Sequence, residues 1–169
     1  MRKTSADRLR SAVFRCSFAT TLILACTALP AADFSLVDAA RNQDQQKVRA
    51  FVTQRADVNA RSADGSTALL WAAHWNDLGT ADLLLRAGAD PNAANDFQMT
   101  PLSQACTNGN AGLEELLLKS GANPNTVIAT GETPLMTCAR TGSVDSVRTL
   151  LAHDASVNAK DPVQHQTAL

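Results

Sequence analysis

The sequence predicts an all-α solenoid of helix-turn-helix units joined by short hairpin loops, set behind an N-terminal leader. Two observations carry this. Residues recur every 33 positions: Thr67 as Thr100 and Thr133, Leu84-Leu85 as Leu117-Leu118 and Leu150-Leu151, Asn59 as Asn92, Asn125 and Asn158. A fixed period of this length marks stacked supersecondary units that bury their apolar faces against one another. Apolar residues are also 45% of the chain, which excludes a disordered polypeptide.

Residues 1–32 read as a signal peptide. Basic residues crowd positions 2 to 15, an apolar run follows from Cys16 to Leu29, and Pro30, Ala31 and Ala32 close the segment. A basic head, a short apolar middle and a small-residue end form the secretory pattern. A membrane-spanning helix needs about 20 apolar residues. This run is shorter and diluted by Ser, Thr and Cys, so no membrane span is expected in the mature chain. Cleavage after Ala31 or Ala32 would give an exported product, periplasmic or secreted. In the alternative reading, Leu22 to Cys26 resembles a bacterial lipobox, and Cys26 would be lipidated as a membrane anchor.

Residues 33–169 hold the repeats, at about 34–63, 64–96, 97–129 and 130–163, with an incomplete fifth at 164–169. In the first, Ser35 caps a helix through Val37 to Ala40, and a second helix runs through Val48, Phe51 and Val52. Gln43 and Asn76 stand where later units have the turn glycines Gly109 and Gly142. Gln tolerates left-handed backbone badly, so a looser or different first turn is expected. Thr100-Pro101 and Thr133-Pro134 are helix starts, with Thr as cap and Pro at the first helical position. Gly88 and Gly121 follow the leucine pairs as C-terminal caps, and Asp154 takes that place in the fourth unit. The leucine pairs are expected to fill the space between units. The fifth unit, Thr167 to Leu169, stops inside what the register makes a helix, so the expectation is a longer array of which this is a piece.

These residues resemble the ankyrin repeat, whose pattern runs T-P-L-H-x-A-A, then a second helix ending in L-L, then G-A-D-x-N-A. The chain has Thr-Pro-Leu at 100–102 and 133–135, Thr-Ala-Leu at 67–69 and Gly-Ala-Asp-Pro-Asn-Ala at 88–93. The family's His is replaced by Leu70, Ser103 and Met136, so its hydrogen bond near the helix start is absent. The resemblance implies a core of Ala and Leu between thin helices, which accounts for aromatics at 4% and no Tyr. It also implies a protein-protein interaction module that binds through the concave groove and hairpin tips.

Little in the sequence points to chemistry. His74, His153 and His165 have no i,i+4 partner or Cys/His cluster, so neither a zinc site nor a cofactor is expected. No nucleophile triad, phosphate-binding glycine loop or paired carboxylates stand out, and an enzyme is the disfavoured class. Cys106 and Cys138 are expected to be buried small residues rather than a bridge. Helices of adjacent units stack up to about 10 Å apart, whereas a disulfide needs Cα atoms within about 7 Å. Beyond residue 32 the chain carries ten bases against fifteen acids, a net of −5. That disfavours nucleic acid, which rewards a basic surface.

The resemblance places the candidate partner-binding residues. His74, Trp75, Thr107, Asn108, Arg140 and Thr141 fall at register positions that face the family's groove. Phe97, Val127 and Ile128 fall at the hairpin tips. Trp75 is expected to be free of the repeat's own core, whereas Trp71 takes a core leucine's place. Apolar side chains along one exposed edge suggest a contact surface. The expected product is a monomer that binds a protein. The alternatives are a passive structural segment of a longer ankyrin array and a lipid-anchored envelope adaptor.

Overall fold

The computed structural model describes residues 35–162 and 165–168; the leader, Cys26 included, lies outside them. Within the unit Asp33–Leu169 eight α-helices follow one another among the described residues. They are α1 (Leu36–Arg41), α2 (Gln45–Thr53), α3 (Ala68–His74), α4 (Leu78–Arg86), α5 (Pro101–Asn108), α6 (Ala111–Lys119), α7 (Pro134–Thr141) and α8 (Val144–Ala152). Odd-numbered helices stack on one another as one layer, and even-numbered helices form a second. None is long and apolar enough to cross a membrane. Residues 165–168 are not helical, so the register's fifth helix does not appear among them.

Each helix starts where the sequence places a short oxygen-bearing side chain. Ser35 and Asp38 form a reciprocal capping box on α1, and Thr67, Thr100 and Thr133 cap α3, α5 and α7. Asp44, Asp77, Asn110 and Ser143 cap the second helices. Such a cap satisfies one of the four backbone N–H groups left free at a helix start, worth about 1 kcal/mol. At the family's His position, the backbone N–H groups of Leu70, Ser103 and Met136 donate to the capping threonines. Ser103 adds a hydroxyl contact to Thr100 at 3.0 Å.

The turns between paired helices are alike in all four units, contrary to the looser first turn expected. Gln43 has φ 58° and Asn76 φ 60°, close to Gly109 at 64° and Gly142 at 76°. Packing of α1 on α2 and on α3 holds Gln43 in a conformation that its Cβ disfavours. Gln43→Gly is therefore expected to stabilise the fold by about 0.5–1 kcal/mol, read as a higher urea midpoint with an unchanged slope.

The core is a row of small and leucine side chains. Ala39, Ala40, Ala72, Ala73, Ala105, Cys106 and Cys138 are all buried where the odd-numbered helices meet. Leu84, Leu117 and Leu150 are each 0% exposed, but the second leucine varies: Leu118 is buried, Leu85 half-buried and Leu151 39% exposed. In the second and fourth units one leucine, rather than the pair, closes the gap, because successive helical residues point about 100° apart; in the third, Leu118 is buried beside Leu117.

Asparagines stitch the units together. Asn59 donates to the Gly88 carbonyl at 3.1 Å and accepts from the Asp90 N–H at 2.8 Å. Asn92 repeats this with Gly121 and Asn123, and Asn125 with Asp154 and Ser156. The recurring Asn is therefore a rung between neighbours.

Cys106 and Cys138 are joined by a disulfide, which overturns the expectation of two free thiols; their Cα atoms lie 4.8 Å apart. The error was to equate axis spacing with Cα spacing. Helix axes pack about 8–10 Å apart, but facing Cα atoms each sit about 2.3 Å toward the partner. Facing small residues leave about 4–5 Å between them, inside the range of a bridge.

Candidate partner-binding surface

The C-terminal ends of the odd-numbered helices bring together the polar and aromatic residues that the sequence singles out. At the end of α3, His74 packs edge-on against Trp71, with ring centroids 5.4 Å apart, and against Trp75 at 4.7 Å. Arg41, at the end of α1, lies over the Trp71 ring at 4.9 Å. A guanidinium on an indole face is held by the ring quadrupole. His74 and Arg41 are exposed, Trp75 is 42% exposed and Trp71 half-buried with its indole N–H unpartnered.

Trp75 also has a folding role, contrary to the expectation that the repeat does not use it. Its indole N–H donates to the Arg41 carbonyl at 2.9 Å. One unit along, Asn108 donates to the carbonyls of Ala73 and His74 at 2.9 and 3.1 Å. The two residues share a register position and do the same thing: each satisfies a carbonyl left open at the end of the previous unit's helix. Thr141, next in register, donates instead to the Cys138 carbonyl within its own helix, as Thr107 does to the Ser103 carbonyl. Arg140 pairs with Glu132 at 3.0 Å on the surface, an interaction that exposure and side-chain entropy keep small.

The hairpin tips are hydrogen-bonded to one another. The Asp96 N–H donates to the Asp64 carbonyl at 3.0 Å and the Ala129 N–H to the Phe97 carbonyl at 3.1 Å. Arg61 reaches the Ala94 carbonyl at 2.7 Å. Within tips, the Asn95 side chain accepts from the N–H groups of Phe97 and Met99. Hydroxyls of Ser62 and Ser66 donate to Asp64 and hold its carboxyl down to about 2. On this braced edge Phe97 is 66% and Val127 49% exposed, whereas Ile128 is half-buried and contributes less than expected.

A second polar cluster was missed in the sequence. Cys106, Cys138 and Glu114 converge from α5, α7 and α6, all fully buried. Burial pushes the Glu114 carboxyl above the ordinary range, and the Ser146 hydroxyl offsets part of this. A signal was present: Glu114 stands where the register has Val48 and Ala81.

The ankyrin-repeat profile matches the chain in three overlapping copies, at residues 20–95, 36–128 and 76–161. With eight capped helices in four in-phase pairs among the described residues, the chain belongs to the ankyrin-repeat family. Repeats of this family generally mediate protein-protein interaction. No curated protein matches the chain.

Proposed function

We propose that the chain binds a protein partner through its concave groove and hairpin tips, with Trp75 as the anchor. The observation that carries this is the Arg41, Trp71, His74 and Trp75 cluster. Two indoles, an imidazole and a guanidinium share one site, and Trp and Arg dominate interface energetics. Phe97 and Val127 extend the surface along the tips, with Ile128 beside them. Thr107, Asn108, Arg140 and Thr141 supply polar contacts. The net −5 beyond residue 32 favours a neutral or basic partner.

Trp75→Ala is expected to weaken partner binding by about 30-fold or more, the equivalent of about 2 kcal/mol. Stability should fall by about 1–3 kcal/mol, for one lost hydrogen bond and the packing of a ring that is more than half buried. Titration calorimetry with a partner captured by the wild-type chain reads the first, and urea unfolding the second. Unchanged affinity together with the stability loss would make Trp75 a structural cap and remove the anchor from this reading.

We also propose that the chain is exported. The basic head and apolar run of residues 1–32 support this, as does an interior disulfide, which persists in oxidising compartments. N-terminal sequencing of the protein from its cells should begin near Ala32 or Asp33. A start at lipidated Cys26 selects the anchored form, and a start at Met1 rejects both.

A further inference from the structure

Three departures from the repeat pattern meet at one point. Cys106 stands where Ala40 and Ala73 stand, Cys138 where Ala72 and Ala105 stand, and Glu114 where Val48 and Ala81 stand. All three are 0% exposed. Their ligand-type atoms lie within 4.8 Å of one another. Glu114 Oε1 is 3.5 Å from Cys138 Sγ, and its Oε2 has no hydrogen-bond partner. Closing the stack requires none of this, since alanine or valine does it in the other units. A carboxyl buried without full pairing is costly, and a plain structural disulfide has no use for one beside its sulfur.

We propose that Cys106, Cys138 and Glu114 form a proton-coupled thiol–disulfide exchange site whose co-substrate is a dithiol, with Glu114 handing a proton to the Cys138 sulfur. A thiolate of the dithiol attacks Cys106 Sγ. A mixed disulfide forms there, the Cys106–Cys138 bond breaks, and the electron pair leaves on Cys138 Sγ. That sulfur takes the proton of the Glu114 carboxyl. The second thiol of the reductant then closes on the sulfur of the first and releases Cys106, which takes up the proton this thiol gives up. The dithiol ends as a cyclic disulfide, and the protein gains two electrons as two thiols.

The geometry suits each step. While the bond is intact no S–H faces Glu114, and burial pushes the carboxyl above its ordinary range, which favours its protonated form. Once the bond is broken, the Cys138 S–H points a donor at the new carboxylate and stabilises it. Among the described residues, the two sulfurs, from α5 and α7, face Glu114 and become titratable once the bond is broken, and α8 adds the uncharged Ser146 hydroxyl. Access comes from the linear architecture. A repeat touches only its neighbours, so α6 and α8 can loosen around the intact bridge and bare Cys106 Sγ while the other units stay folded.

The test is the equilibrium of the full chain with reduced and oxidised dithiothreitol from pH 5 to 9, scored by free thiols. In wild type, Glu114 is protonated in the oxidised form and ionised in the reduced form between its two pKa values. Reduction then releases one proton, and the equilibrium constant rises by up to tenfold per pH unit across that interval. Glu114→Gln and Glu114→Ala should abolish the rise. Alanine is the residue of the second unit at this position, so that variant keeps the measurement possible should Gln disturb folding. A pH-independent constant in wild type, or the same slope in both variants, overturns the proposal. So does a reduced chain that binds one equivalent of zinc and no longer reoxidises, which would make the three residues a metal site.

Discussion

Leu117→Ala should cost about 3–5 kcal/mol of unfolding free energy. Leu117 is 0% exposed and sits on α6, which packs against both α4 and α8. Truncation removes the transfer free energy of the lost carbons and leaves a cavity that two rigid neighbours cannot both fill, which puts it in the upper part of the range for buried leucines. Leu151→Ala is the internal control. It is the same substitution on the same kind of helix, but Leu151 is 39% exposed, so its loss should be about 1 kcal/mol or less. Urea titrations followed by circular dichroism give both numbers. Equal costs would mean that the difference in burial between Leu117 and Leu151 has no energetic meaning.

What the sequence made legible was register. The 33-residue period places Thr67, Thr100 and Thr133 at three helix starts, and the structure puts a cap at each. Periodicity survives in sequence because each unit solves the same packing problem. It says which positions are equivalent, but not how near two equivalent positions in different units come. The Cys106–Cys138 bridge was therefore misjudged: the separation depends on where small residues let helices touch. Nor does periodicity report what a polar side chain bonds. Trp75 looked idle because its partner is a carbonyl 34 residues away. Glu114 differs again. Its apolar register partners were visible in the sequence, and what could not be seen was that its helix aims it at two sulfurs contributed by two other helices.

The Cys106→Ala/Cys138→Ala double variant should lose about 3–4 kcal/mol, the loop-closure value for a bridge between residues 32 apart. Alanine is what the register places at Ala73 and Ala105, so the substitution keeps the close helix approach and removes little apart from the covalent link. The loss should be local. A linear array is held by nearest-neighbour interfaces, and the bridge joins α5 to α7, the contact between the third and fourth units. Hydrogen exchange should show α7 and α8 opening early while α3 and α4 keep their protection. Wild type unfolded in excess dithiothreitol should lose most of the same stability, because it too then lacks the bond, and the Cys138 S–H beside Glu114 sets the remaining difference. If the double variant keeps its full stability, the Asn125 rung to Asp154 and Ser156 and the buried Leu150 hold the fourth unit by themselves, and the sulfurs were placed there for chemistry alone.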